Sequence, residues 1–138
     1  MGHSETHKTL HGLFNSRDFD GMDEHTREDM TYEDIPRGQT INSLHEFKDW
    51  LNTWTSAFSD ARADAATYLE GDNFSLARFR GRGRNDGALG TLPASDREMD
   101  NPFWELLEYD DQGKVKSGAI HYDQVTMLSQ LGHIQPPE

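Results

Sequence analysis

His121 and Asp123 stand one residue apart at the end of the segment Lys114 to Tyr122. Alternate side chains of a strand share a face, which groups these two with Val115, Ser117 and Ala119. If that face lines a cavity, Asp123 can take a proton from an activated carbon and return it to a carbonyl oxygen, with burial raising its pKa toward the working range. His121 is then its hydrogen-bond partner or a second acid/base. Asp123 also directly precedes Gln124-Val-Thr-Met, where an aspartate is a good N-cap for a final helix. Residue types alone leave both roles open, and His121 equally suits a partly buried histidine satisfied by a backbone group.

Other residues offer chemistry. Glu105 shares a strand face with Phe103 and Leu107, which makes it a candidate second pocket acid, although an exposed glutamate is the commoner outcome. Tyr32, Trp54, Phe58 and Trp104 belong to a set of large rings suited to a flat, apolar ligand; Trp54 and Trp104 are the rings chosen for the cavity mouth. Arg78, Arg80, Arg82 and Arg84 alternate along one strand, and in an acidic chain their expected use is pairing with carboxylates on adjacent strands rather than nucleic-acid binding. His3, His7 and His11 recur every four residues on one helical face, but no carboxylate or cysteine motif completes a metal set. They are expected on a solvated face, and no metal is assigned.

The elements that must position these residues follow from periodicity. Leu10, Leu13 and Phe14 predict a short helix from Ser4 to Asn15, capped by Ser4 or Thr6. A second brief helix fits within 16–29, and a strand from Met30 to Ile35 stops at Pro36. Leu44, Phe47, Leu51, Trp54 and Phe58 mark a long helix capped by Asn42 or Ser43, with an aromatic buried stripe. Strands follow at Arg62 to Leu69 and Phe74 to Arg82 around a turn, then Phe103 to Tyr109 and Lys114 to Tyr122 around Asp110-Asp111-Gln112-Gly113. Asp86 to Pro93 reads as an irregular edge, Gln124 to Leu131 as a helix stopped by Gly132, and Pro136-Pro137 as a fraying tail. The fold class is α+β: a curved antiparallel sheet packed on a long helix and shorter N-terminal helices.

Composition narrows the function classes. With 138 residues a single domain over 1–138 is expected, and the rings of three Trp, four Tyr and seven Phe argue for a folded core despite 33% apolar residues and a mean hydropathy of −0.88. A formal charge of −12 repels phosphates and anionic lipid, so neither nucleic acid nor membrane is an expected partner. The absence of cysteine removes disulfides and thiol chemistry. No stretch reads as a signal peptide or a membrane span, which makes the cytoplasm the expected location.

The order of these elements, and several strings, resemble the SnoaL-like polyketide cyclase (ester cyclase) family of the nuclear-transport-factor-2-like, cystatin-like superfamily. The strings are Phe47-Lys-Asp-Trp50 leading to Ala57-Phe58-Ser59-Asp60, Arg82-Gly83 with Gly87-Ala-Leu-Gly90, Tyr122-Asp123-Gln124, and Gln130-Leu131-Gly132, within about residues 10 to 132. The resemblance implies a cone-shaped sheet with an apolar cavity, no cofactor or metal, and an intramolecular aldol condensation on a small apolar or aromatic carbonyl compound. It implies that Asp123 is the general acid/base, and it makes a homodimer or higher homo-oligomer the expected assembly. Asn85 stands where many relatives carry the histidine of Gly-Thr-His-x-Gly, which makes it a candidate substrate-binding amide; Ser95-Asp96-Arg97 replaces their Thr-Gly-Arg or Thr-Gly-Lys. The same fold also serves dehydratases, isomerases, hydrolases and non-catalytic ligand-binding or dimerisation modules, which stand as the alternative functions.

Overall fold

The computed structural model describes residues 2–135; the Pro136-Pro137 tail lies outside them. The chain runs through α1 (His3–Ser16), a short 3-10 helix (Asp20–Glu24), β1 (Thr26–Asp34), β2 (Gln39–Ile41), α2 (Leu44–Ala57), β3 (Arg62–Glu70), β4 (Phe74–Arg84), β5 (Glu98–Tyr109), β6 (Val115–Tyr122) and α3 (Gln124–Gln130). The six strands form one curved, unclosed sheet in the order β2-β1-β6-β5-β4-β3. All neighbours are antiparallel except β1 and β6, which run parallel and make the sheet mixed. The parallel pair is long-range, joining the first strand to the last, and no hairpin signal announces such a pairing.

The hydrophobic pattern explains the packing. On α2, Leu44, Trp50, Leu51, Trp54 and Ala57 are buried, and the Ser43 hydroxyl accepts from the Glu46 N–H at 3.1 Å to cap the helix. Helix α1 begins at Gly2 without a side-chain cap rather than at Ser4 or Thr6. It is tied to β3 by Asn15, whose amide donates to the Ala63 carbonyl at 3.0 Å and accepts from the Ala63 N–H at 2.8 Å. Strand β5 starts five residues before the expected Phe103 and pairs with β4 along its whole length, from Phe74 opposite Glu108 to Arg84 opposite Glu98. The arginine row pairs with carboxylates of the neighbouring strands: Arg80 and Arg82 meet Asp100 at 2.8 and 3.2 Å, and Arg82, which also borders the cavity, approaches Asp64 at 3.5 Å.

One irregularity decides which residues of β6 face the core. Glu108 pairs with Ser117 while Tyr109 pairs with Val115, so Lys116 is an extra residue in the ladder. A bulge of this kind reverses the alternation. Val115 is buried before it, and after it Ile120 and Tyr122 are buried while His121 is exposed. Gly118 also turns inward, and a Cβ there would lie 2.8 Å from both Leu107 and Tyr32. The expected grouping of Val115 with His121 and Asp123 is therefore corrected: the bulge separates them.

Candidate active site

The alternation of β5 turns Met99, Asn101, Phe103, Glu105, Leu107 and Tyr109 toward the core. Glu105 is thereby a carboxylate only 7% exposed in an apolar layer, where it must find donors or neutralise. Helix α1 supplies them. His7, fully buried, and His11 point at the sheet, and each Nε2 lies 2.8 Å from Glu105 Oε1. The Tyr32 hydroxyl, from β1, donates a short hydrogen bond to Oε2. The other ring nitrogens are also engaged, His7 Nδ1 with Ser75 Oγ at 2.7 Å and His11 Nδ1 with the Tyr68 hydroxyl at 2.8 Å. From Ser75 the chain of contacts continues to the Tyr109 hydroxyl at 2.7 Å, which donates to the His3 carbonyl at 3.1 Å.

The expectation of a solvated histidine face is overturned by this arrangement. His7 and His11 share the stripe of Leu10 and Phe14, and that stripe is the buried one. The carboxylate missing from the local motif arrives from β5, 94 residues further along the chain than His11. Burial opposes ionisation of Glu105, but the hydrogen bonds from His11 and His7 and their charge outweigh it, holding the carboxyl well below the usual range. Desolvation lowers the pKa of His7 despite the Glu105 partner. Burial, and then the Glu105 charge, push the Tyr32 phenol well up, so it stays a donor.

Glu105 and His11 reach the wall of an internal cavity of about 100 Å³ between α1, α2 and the sheet. Its wall is otherwise mostly apolar, with Leu10, Phe14, Met30, Trp50, Trp54 and Phe103 prominent, and Glu105 is the only carboxylate among the described lining residues. The Trp54 indole N–H is buried without a hydrogen-bond partner. A second buried carboxylate, Asp34, is consumed structurally: it accepts from the Trp50 indole at 3.0 Å and from the Tyr122 hydroxyl at 2.9 Å and does not line the cavity.

The residues selected from sequence divide sharply. Tyr32, Trp54 and Glu105 come together around the cavity, with Tyr32 behind Glu105. Phe58 is fully buried and stacked on Trp54 at 6.3 Å, but it does not line the cavity. Trp104 lies on the opposite face of β5 from Glu105, 45% exposed, with the Arg78 guanidinium 5.7 Å from its ring centre, so its place at the cavity mouth is corrected by strand parity. Asn85 is fully buried but clamps a loop. Its Nδ2 donates to the Ala57 and Gly87 carbonyls at 3.1 and 2.8 Å, and its Oδ1 accepts from the Ser95 N–H and hydroxyl at 3.0 and 2.9 Å. It stays outside the cavity wall.

His121 and Asp123 are both exposed and away from the cavity. Asp123 caps α3, with Oδ1 accepting from the Thr126 N–H at 2.9 Å and Oδ2 from the Thr126 hydroxyl at 2.6 Å, and these bonds lower its pKa. His7, His11, Tyr68 and Ser75 were not selected. For the two histidines the signal was present, in their phase with Leu10 and Phe14.

Comparison with known proteins bears on this geometry. A family model described as SnoaL-like polyketide cyclase matches residues 5–131. IdmH of Streptomyces antibioticus, assigned as a polyketide cyclase, superposes with a TM-score of 0.83 at 20% identity over 96% of this chain and 99% of its own. A protein of Pseudomonas putida with the same assignment gives 0.83 at 16% identity over 94% and 98%. A Catenulispora acidiphila protein of ketosteroid isomerase-like fold gives 0.78 at 15% identity over 96% and 94%. No curated protein matches the chain in sequence. Such identities speak for the fold, and the family match over nearly the whole chain settles the kinship: this protein belongs to the SnoaL-like polyketide cyclase family.

Proposed function

We propose that the protein is a cyclase-type enzyme that binds a compact, largely apolar carbonyl compound in the internal cavity and closes it by an intramolecular aldol reaction without an organic cofactor. The observation that carries this reading is Glu105, the only carboxylate among the described lining residues, joined to His11 in a wall that is apolar apart from Thr26, Arg62 and Arg82. The cavity of about 100 Å³ is below the usual range for drug-sized ligands, so it favours a compact substrate.

The Glu105–His11 pair is the proton carrier. It takes a proton from the carbon next to one carbonyl; the enolate carbon attacks a second carbonyl of the same molecule; the resulting alkoxide recovers a proton from the pair. No atom is gained or lost. Tyr32 and His7 fix the carboxylate from behind, and the unpaired Trp54 N–H is a ready donor for a substrate carbonyl oxygen. Asp123, to which the family resemblance gives the acid/base role, has both carboxylate oxygens engaged at the start of α3, and this favours Glu105 in its place.

Proton abstraction can be measured without knowing the natural substrate, by following deuterium uptake from D₂O at the α-carbons of compact 1,5-diketones. Wild-type protein is expected to accelerate exchange, and Glu105→Gln to reduce that acceleration at least about 100-fold with the fold retained by circular dichroism. A folded Glu105→Gln protein that exchanges at the full rate removes the pair from the reaction.

A further inference from the structure

Four consecutive links join Glu105 Oε1 to His7 Nε2, His7 Nδ1 to Ser75 Oγ, Ser75 Oγ to the Tyr109 hydroxyl, and that hydroxyl to the His3 carbonyl. Each needs one hydrogen between its two heavy atoms. The last acceptor is a carbonyl, so Tyr109 must donate to it, Ser75 to Tyr109, and His7 Nδ1–H to Ser75. With a neutral imidazole the three hydrogens are then spent, and two lone pairs, on His7 Nε2 and Glu105 Oε1, face one another at 2.8 Å. Something positive belongs between them.

We propose that His7, His11 and Glu105 bind one divalent transition-metal cation through Nε2, Nε2 and Oε1, with a fourth coordination position open to the cavity. The three ligand atoms lie within 4.8 Å of one another, and two imidazoles with one carboxylate make a donor set used for open zinc sites. The atoms behind the ligands fit as well. Each ligand's other heteroatom is held, His7 Nδ1 by Ser75, His11 Nδ1 by Tyr68 and Glu105 Oε2 by Tyr32, which orients the ligands as metal sites require. Because His11 and Glu105 line the cavity and His7 lies behind them, the vacant position faces a ligand in the cavity. Tetrahedral zinc bond lengths imply separations of about 3.3 Å between ligand atoms, so the carboxylate would draw back by about 0.5 Å and the two imidazole nitrogens would close toward one another. With the ion bound, His11 Nε2 and Glu105 Oε1 would be ligands and no longer the proton carrier of the proposed reaction, so at the same cavity the ion would take over that corner and supply an electrophile for a substrate carbonyl; the test is read without turnover.

Chelator-treated wild-type protein titrated with Zn²⁺ by calorimetry is expected to bind one equivalent at micromolar Kd or tighter, and Co²⁺ is expected to give the strong visible bands of a four-coordinate ion. Paramagnetic broadening by Co²⁺ should strike the ring protons of His7 and His11 and spare those of His45 and His121. His11→Gln and Glu105→Gln should each weaken binding at least about 100-fold, while His121→Ala leaves it unchanged. If the wild-type protein binds neither ion, or broadening falls on the exposed histidines, the proposal is overturned and the gap at His7 holds a proton, visible as two protonated nitrogens in ¹⁵N spectra of its ring. The wild-type titration decides even if a variant fails to fold. A metal-free protein leaves the proton-transfer reading to its deuterium-exchange test, and a metal-binding protein inactive in exchange leaves the metal site standing.

Discussion

Glu105 and Asp123 are both carboxylates at the C-terminal sheet, and the fold gives them opposite surroundings. Glu105 is buried and meets three polar side chains, from α1 and β1. Asp123 is exposed and accepts from the backbone N–H and the hydroxyl of Thr126, three residues on. Both are held ionised, yet by causes of different reach: at Glu105 hydrogen bonds overcome a large desolvation cost, whereas at Asp123 local capping acts with little opposition. A lowered pKa therefore does not distinguish a site from a cap. What distinguishes them is whether the donors come from distant elements and whether the carboxylate meets a cavity.

The largest test of that contrast is Glu105→Ala. It leaves the Tyr32 hydroxyl and both imidazoles without their shared partner in the core, and loss of about 3–5 kcal/mol is expected in urea unfolding. A loss below about 1 kcal/mol would mean that water enters freely and the cluster is not a sealed corner. Asn85→Ala separates burial from function. It leaves the carbonyls of Ala57 and Gly87 and the Ser95 donors without their partner, costing about 1–3 kcal/mol, while deuterium exchange by the folded protein should stay within about twofold of wild type. An exchange rate lowered beyond that would tie the 85–97 loop to the cavity.

The elements with strong local periodicity were legible. Helix α2 with its Ser43 cap, β6, α3 and the C-terminal end of β5 lie within a few residues of where spacing and turn residues put them. The site was legible only where strand parity stayed regular: Glu105 with Phe103 and Leu107 faces inward as the unbroken alternation of β5 dictates. At β6 the bulge at Lys116 broke the rule, though the apolar Ile120 and Tyr122 against the polar His121 and Asp123 already favoured the parity observed. The histidine pair failed for another reason. The helix contributes two imidazoles whose carboxylate partner comes from a strand 94 residues away, and no local motif encodes that meeting.

The smallest effect belongs to Asp123, and it sharpens the comparison because two roles predict different outcomes. Asp123→Ala removes both acceptors from Thr126 and should lower the unfolding free energy by much less than Glu105→Ala does; Asp123→Asn, an equally good N-cap residue, should lower it less still. Neither should alter deuterium exchange beyond about twofold if Glu105 carries the proton. The pH dependence follows from the direction of the shift. The folded pKa of Asp123 lies below the ordinary 3.8, so its ionised form contributes stability that is fully present above that value and lost as pH falls through the folded pKa. The stability gap between wild type and Asp123→Ala should accordingly be flat from pH 7 down to about 5 and narrow below about 4. If Asp123→Asn instead abolishes exchange while its unfolding curve matches wild type, the catalytic carboxylate is Asp123, and the buried Glu105 cluster serves the fold.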